Sequence, residues 1–541
     1  MLKKNKLKNS YLAAILCING LAYSSPIITW QQCSSDFPQG FLCGMLTVPM
    51  DYKNLSASNI QLPVTIHPHQ GAADQYKGIL VMNHGGPWSD EAASQPYDIP
   101  DLSTDIKNQF DIVSFSPRGT ANNPFVCHSS DMNKIYDLDK ILILKNLTLK
   151  NVNSIYDAAK LKNQLCQYDS ISEYASTKNT VQDLEQLRQA LVANGGFLAQ
   201  KINYYGASYG TRLGLAYLIT YPKNVNRMVL DANVAPDNSF LNFIETSSKG
   251  SENVLHAFFN DCIQAGTACP LYISGFQTTE QLEAAYKKLF SEAAQSGIPT
   301  SAKYYNRPFN SAMFTLLLSI VFANNGYWID FSTALNQAFV SNNADLLMQL
   351  FTNFIPYNPE TDTFNPIDLF DDGVSNIMCE DFLPLPKKPL FFYNLYQWQN
   401  QSPLIGGNMG FQGAWKCIGW HGNNDPLIPA LKDIKPIPDP KPNVLIVSNT
   451  YDYVVPPQSA QKESEFLTKL GIPNQILTWN GPGHIAYHQN SPEGGCIDQN
   501  VDQFLLTGQY PTVSICNDGT NPFLQNNGIK PIMKKKHYFM W

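Results

Sequence analysis

The sequence predicts an α/β architecture, a mostly parallel, doubly wound sheet carrying a largely helical inserted cap domain, and three observations lead there. Short apolar runs rich in β-branched residues recur and end in turns with glycine or proline: Ile79–Met82, Ile112–Phe115, Ile202–Tyr205, Met228–Leu230, Val444–Val447 and Ile476–Trp479. Such runs suit strands buried on both faces, which is the condition of a parallel sheet. Helical patterns lie between some of them, as in Val181–Val192, where Val181, Leu184, Leu187 and Leu191 share one face. The alternation then fades from about Asp237 to Asp433 into helical runs such as Glu280–Gln295 and Asn- and Pro-rich loops. It resumes after Pro436-Ile437-Pro438-Asp439-Pro440, a stiff connector that suits neither a central strand nor a helix interior.

A chain of 541 residues exceeds one ordinary core. The expected layout is an export signal over 1–24, a sheet domain split into 25–237 and 434–520, the cap over 238–433, and a tail over 521–541 with no assignable element. Hydrophobic residues make up 44% and charged residues 15%, a balance that excludes disorder. Net charge is −7, and about −11 without the segment carrying Lys3, Lys4, Lys6 and Lys8, so a nucleic-acid partner is not expected. Those lysines precede the apolar run Tyr11–Tyr23 and the small-x-small site Ala22-Tyr23-Ser24, which predicts export to a secreted or periplasmic location. The run is short for a bilayer span, and no stable membrane insertion is expected. Losing Cys17 with the leader leaves ten of eleven cysteines, an even number suited to disulfides. Nearest-neighbour pairing would join Cys33 to Cys43, Cys127 to Cys166, Cys262 to Cys269, Cys379 to Cys417 and Cys496 to Cys516, one of many connectivities the spacing allows. There is no Cys-x-x-Cys, and neither a metal nor any other cofactor is expected.

Gly206-Ala207-Ser208-Tyr209-Gly210 follows the run Ile202–Tyr205 and precedes a helical pattern ending at Tyr221-Pro222. This strand, turn and helix form the setting of a nucleophile elbow in the α/β-hydrolase fold, where glycines clear space around a strained serine. Serine is a poor nucleophile without a base, and the base needs a carboxylate to hold its tautomer. In this fold the chain order is Ser, acid, His. Asp452 just beyond Val444–Val447 and His484 just beyond Ile476–Trp479 meet that order at the carboxyl ends of strands. His488, His421, Asp425 and Asp433 compete less well, lacking either the glycine-rich approach or the position after a strand. Asn83-His84-Gly85-Gly86-Pro87-Trp88 supplies a glycine pair for an oxyanion hole, with Gly86 and Tyr209 as the expected N–H donors.

These motifs, with Pro117-Arg118-Gly119-Thr120 and Val48-Pro49-Met50-Asp51-Tyr52, resemble the secreted tripeptidyl-aminopeptidase and prolyl-aminopeptidase family of α/β-hydrolases. Cys379-Glu380-Asp381, Cys417-Ile418-Gly419-Trp420, Asp452, Gly483-His484, Cys496 and Cys516 resemble that family's tripeptidyl-aminopeptidase-like C-terminal region. The resemblance implies a metal-independent serine exopeptidase acting on short peptides with free N-termini. Two departures bear on substrate choice. Trp88 replaces a glycine after His-Gly-Gly-Pro and is expected to narrow the pocket, and Ser116–Asn123 lacks an acidic residue and a glycine of the family pattern.

An aminopeptidase must bind an ammonium, for which Glu380 and Asp381 are the candidates, although a structural role suits them equally. The leading function is therefore a secreted aminopeptidase with a small peptide substrate. A carboxylesterase or lipase using the same three residues is the alternative, and a non-catalytic binding protein the third. The sequence leaves the oligomeric state open.

Overall fold

The computed structural model describes residues 27–524 except 36, 57, 88–90, 122–126, 149, 168–169, 195–199, 302–306, 356, 359–362, 365–371, 423–424 and 430. Its first strands are β1 (Ile28–Gln31), β2 (Leu42–Pro49), β3 (Asn59–His67), β4 (Gly78–Asn83), β5 (Phe110–Phe115), β6 (Ile202–Ala207) and β7 (Val225–Asp231). A separate ribbon of β8 (Tyr357–Asn358) and β9 (Thr363–Phe364) follows, then β10 (Asn443–Tyr451), β11 (Asn474–Pro482) and β12 (Ile515–Cys516). The main sheet has the order β1-β2-β3-β5-β4-β6-β7-β10-β11-β12. Neighbours from β5 to β12 run parallel, whereas β1, β2 and β3 are antiparallel, as is the β3–β5 pair. Every residue of β4, β5 and β6 is buried, which is why these strands read as largely apolar runs, interrupted only by Asn83, Asp111, Ser114 and Asn203. This is the α/β-hydrolase fold. The chain leaves β4 for β5 on one side and β6 for β7 on the other, so the adjacent β4 and β6 flank the switch point where a crevice opens.

The antiparallel strands β1 to β3 are not among the continuous apolar runs: β1 is mostly exposed, and β3 alternates buried Ile60, Leu62, Val64 and Ile66 with Gln61, Pro63 and Thr65. Between β7 and β10 run helices Phe240–Ala265, Thr279–Gln295, Ser311–Ala323, Trp328–Ser341, Asp345–Phe354, Asp372–Asp381, Lys388–Gln401 and Gly406–Ala414. Although that segment separates them in sequence, β7 and β10 pair directly, with Asp231 opposite Val447. Helix Ser311–Ala323 is buried at every residue but Ala312, and among the described residues no single helix is long and apolar enough to cross a membrane. The start of the tail is docked, contrary to expectation: Phe523 in the turn Pro522–Leu524 packs on Phe258 and Trp328, and Asn521 donates to the Asp261 carbonyl. The expected leader, 1–24, and the tail from 525 lie outside the described residues. Five disulfides join the nearest-neighbour pairs Cys33–Cys43, Cys127–Cys166, Cys262–Cys269, Cys379–Cys417 and Cys496–Cys516.

Two of the sequence motifs turn out to fasten the sheet to its helices. Arg118 is 0% exposed and contacts Asp183 through Nε and Nη2, both at 2.6 Å. It also donates to the carbonyls of Pro49 and Met50, while Tyr52 Oη donates to Asp183 at 2.6 Å. A buried cation survives only when its donors are used in this way.

Glu463, on helix Pro457–Lys469, is 1% exposed, and among the described residues its Oε1 has no hydrogen-bond partner. Burial pushes its carboxyl up to about 8, against a smaller opposing pull from Arg212. The folded state thus keeps a proton that the unfolded chain releases at its ordinary value of 4.5, so stability declines as pH rises from 4.5 to about 8. Glu463→Gln is expected to raise stability at pH 8 by an amount on the order of a few kcal/mol and to change little at pH 4.5. Denaturant unfolding of both proteins at the two pH values checks this.

Candidate functional site

Ser208 stands between β6 and helix Tyr209–Thr220 with φ 55° and ψ −124°, a conformation costly for a residue with a Cβ. The flanking glycines explain how the turn closes: a Cβ on Gly206 would lie 2.4 Å from the Gly210 carbonyl oxygen, and one on Gly210 would lie 2.3 Å from that of Asn83. The turn directs Ser208 to the carboxyl edge of the sheet, at the N-terminus of a helix whose first N–H groups have no partners within the helix. Ser208 is 2% exposed, and among the described residues its Oγ has no hydrogen-bond partner.

His484 follows β11. Its Nδ1 lies 2.8 Å from Asp452 Oδ2, and its Nε2 is buried with no partner among the described residues. Asp452 follows β10 and is 1% exposed; its Oδ1 accepts the N–H groups of Val454 at 2.8 Å and Val455 at 3.0 Å. Each carboxylate oxygen therefore has its own task. With Nδ1 committed to a carboxylate, Nε2 is left as a proton acceptor. The histidine loop is tied at several points: His484 N–H to the Ala323 carbonyl, Asn449 to the Gly483 carbonyl, and Asn490 to the His484 carbonyl.

The loop after β4 packs directly on the elbow. Gly85 has φ 101°, and a Cβ there would lie 2.8 Å from Ser208 Cβ and 3.0 Å from Tyr209 N, so only glycine permits the approach. Gly86 follows at φ 93°. Upstream, His84 Nδ1 lies 2.9 Å from Glu91 Oε1, and the same carboxylate oxygen accepts the His84 N–H at 2.7 Å, which anchors the loop. Trp88 lies outside the described residues.

The remaining expected contacts fall differently. Asp381, a candidate for binding substrate ammonium, is 2% exposed and occupied: it accepts the Thr177 N–H at 2.9 Å and the Thr177 hydroxyl, and lies 3.4 Å from Arg212 Nε. Thr177 also meets the Tyr209 hydroxyl, so Asp381 ties helix Asp372–Asp381 to the helix that follows Ser208. That corrects the expectation, because both oxygens serve an internal network. Glu380 is 1% exposed and accepts Trp420 Nε1 at 3.1 Å. His488 pairs with Asp498 at 3.1 Å, His421 packs beside Trp420, and Asp425 pairs with Lys178 at 2.9 Å.

Sequence reasoning passed over Asp231, the last residue of β7, whose carbonyl accepts the Ser208 N–H at 2.9 Å. Its position at the carboxyl end of a strand was the available signal. Beyond Asp452, Tyr453 sets its ring 6.2 Å from that of His484 and borders a small apolar cleft lined by Phe240, Phe243, Ile244, Met378 and Val454 among others.

Comparison with known proteins adds three relatives and a family. Residues 402–520 match the family described as TAP-like protein. Over 513 residues the chain is 25% identical to the serine protease Hip1 of Mycobacterium tuberculosis, covering 90% of this chain and 89% of the relative. Over 220 residues it is 30% identical to the tripeptidyl aminopeptidase of Streptomyces lividans, covering 39% and 38%. Over 484 residues it is 26% identical to carboxylesterase B of Mycobacterium tuberculosis, covering 87% and 85%.

Proposed function

We propose that this α/β-hydrolase, whose residues 402–520 match the TAP-like family, is an extracytoplasmic serine aminopeptidase that cleaves short peptides from a free N-terminus. Ser208 attacks the scissile carbonyl, and His484 takes its proton and returns it to the leaving amine. Asp452 holds the imidazole and stabilises its charged form. The N–H groups of Gly86 and Tyr209 receive the oxyanion. Water then hydrolyses the acyl-enzyme by the same proton route. The observation that carries this reading is the pair of buried atoms left without hydrogen-bond partners among the described residues, Ser208 Oγ and His484 Nε2, with Nδ1 of the same ring on a buried carboxylate. Five disulfides fit an oxidising compartment.

A peptide substrate is supported by the relatives named serine protease and tripeptidyl aminopeptidase, and the relative named carboxylesterase B supports the esterase reading. The apolar cleft beside Tyr453 suits an acyl chain and an apolar side chain equally, so the substrate's free amine is the feature that decides. The aminopeptidase is expected to turn over a free-amine tripeptide anilide at least about tenfold faster than its N-acetylated form, the worth of one charge-assisted hydrogen bond. Equal rates, or hydrolysis of short-chain esters alone, would favour the esterase. Glu380 is buried on Trp420 Nε1 as Asp381 is on Thr177: if Glu380→Gln slows only the free-amine substrate, it binds the ammonium, and equal slowing of the N-acetylated substrate would make it a structural contact.

A further inference from the structure

We infer that Asp231 is a positioning residue that keeps Ser208 and His484 in register, a role that rests on the serine-hydrolase reading of the site. Its main chain holds the nucleophile, since its carbonyl accepts the Ser208 N–H at 2.9 Å. Its side chain holds the base. The carboxylate accepts the N–H groups of Ala486, at 3.2 and 3.1 Å from its two oxygens, and of Tyr487 at 2.9 Å, and lies 3.2 Å from Tyr205 Oη. Ala486 and Tyr487 are the second and third residues after His484.

The loop needs such an anchor. Ile485 has φ 71° and His488 φ 54°, so the segment carrying the base bends through two conformations unfavourable for residues with side chains. Strained backbone persists only where surrounding contacts over-determine it. A carboxylate suits the position because it can accept two successive N–H groups and a hydroxyl at once, through hydrogen bonds strengthened by its charge. Asp231 also occupies a junction in the sheet, opposite Ala207 at the end of β6 and Val447 on β10. One residue thereby links the strand leading to Ser208, the strand leading to Asp452 and the loop bearing His484.

Asp231 is 0% exposed. Burial pushes its carboxyl up to about 6, opposed by the hydrogen bonds from Tyr487, Ala486 and Tyr205 and by the nearby His484. The titratable groups around it are Tyr205 from β6, with His84 beside that ring, and His484 and Tyr487 from the histidine loop. Behind these, Asp502 accepts Tyr487 Oη and Asp498 pairs with His488.

The test compares the parent protein with Asp231→Asn and Tyr205→Phe, using p-nitrophenyl acetate hydrolysis and the labelling rate of Ser208 by a fluorophosphonate. Asparagine keeps the shape but replaces one acceptor oxygen with an NH2 group that cannot receive the loop's N–H groups. For Asp231→Asn, kcat and labelling rate are each expected to fall about tenfold while KM stays within about twofold, the pattern of a displaced base rather than a lost binding contact. The acid limb of its pH profile should move to lower pH, because the imidazolium loses a neighbouring negative charge. Tyr205→Phe removes one donor to the carboxylate, so Asp231 takes up its proton at higher pH; the histidine loop then loses its ionised anchor at higher pH, and the acid limb, which in this variant still contains the Asp231 step, should move up. This second variant decides the matter if the first fails to fold. Parent kcat, labelling rate and acid limb in a folded Asp231→Asn, or an unmoved limb in Tyr205→Phe, would reduce Asp231 to a support of the fold. A parent protein that is not labelled at Ser208 would instead overturn the serine-hydrolase reading and this proposal with it.

Discussion

Ser208→Ala is expected to reduce kcat by roughly a millionfold on any substrate, leaving only the catalysis that the oxyanion donors and binding supply by themselves. The hydroxyl is the attacking group, so nothing in the site can replace it. The fold should survive, because Ser208 Oγ has no hydrogen-bond partner among the described residues and its removal strands no other group. A melting temperature within a few degrees of the parent, with no detectable burst or turnover, is the expected pair of measurements. His484→Ala should lose a comparable factor, and the double variant little more, because the two groups act as one unit. Retention of a tenth of the parent rate by Ser208→Ala would exclude it as the nucleophile.

Asp452→Asn is expected to lower kcat by about ten-thousandfold with KM nearly unchanged, and the two oxygens of Asp452 give the reason. Oδ1 accepts the N–H groups of Val454 and Val455, whereas Oδ2 faces His484 Nδ1 at 2.8 Å. An asparagine must keep its oxygen toward the two N–H groups, since turning its NH2 there would set donor against donor. The NH2 then points at Nδ1 and donates to it, which moves the imidazole proton to Nε2. His484 would face Ser208 with a hydrogen where it needs a lone pair. Steady-state kinetics of the folded variant check this. A loss below about tenfold would show that Asp452 does not set the tautomer.

How much of the molecule could be read from the chain alone depends on the range of the forces involved. Gly-Ala-Ser-Tyr-Gly is legible as a motif between a strand and a helix, and the clash that demands Gly206 is local, with Gly210; the clashes that demand Gly210 and Gly85, with Asn83 and with Ala207 to Tyr209, arise only when two distant loops pack together. Asp452 and His484 could be picked out because each follows a short apolar run, and in a parallel sheet the ends of such runs meet at one edge. The largely apolar character of β4, β5 and β6 likewise announces burial on both faces.

Of the antiparallel strands, β1 is mostly exposed, whereas β3 alternates Ile60, Leu62, Val64 and Ile66 with polar residues and proline, a signature that a reading by continuous apolar runs passes over; Phe523 stayed hidden because its partners Phe258 and Trp328 lie far away in sequence. Asp381 and Asp231 show the same division among charged residues. In sequence each is an aspartate at the end of an element, indistinguishable from a solvated cap. Arg212 and Thr177, brought from two other helices, make Asp381 an internal fastening, and the N–H groups of Ala486 and Tyr487 make Asp231 an anchor for the histidine loop. Turn sterics and apolar periodicity act between near neighbours, so the sequence by itself determined the fold class and where its reactive side chains stand along the chain. What a buried charge does depends on which donors the folded chain carries to it, and that was decided only by tertiary structure.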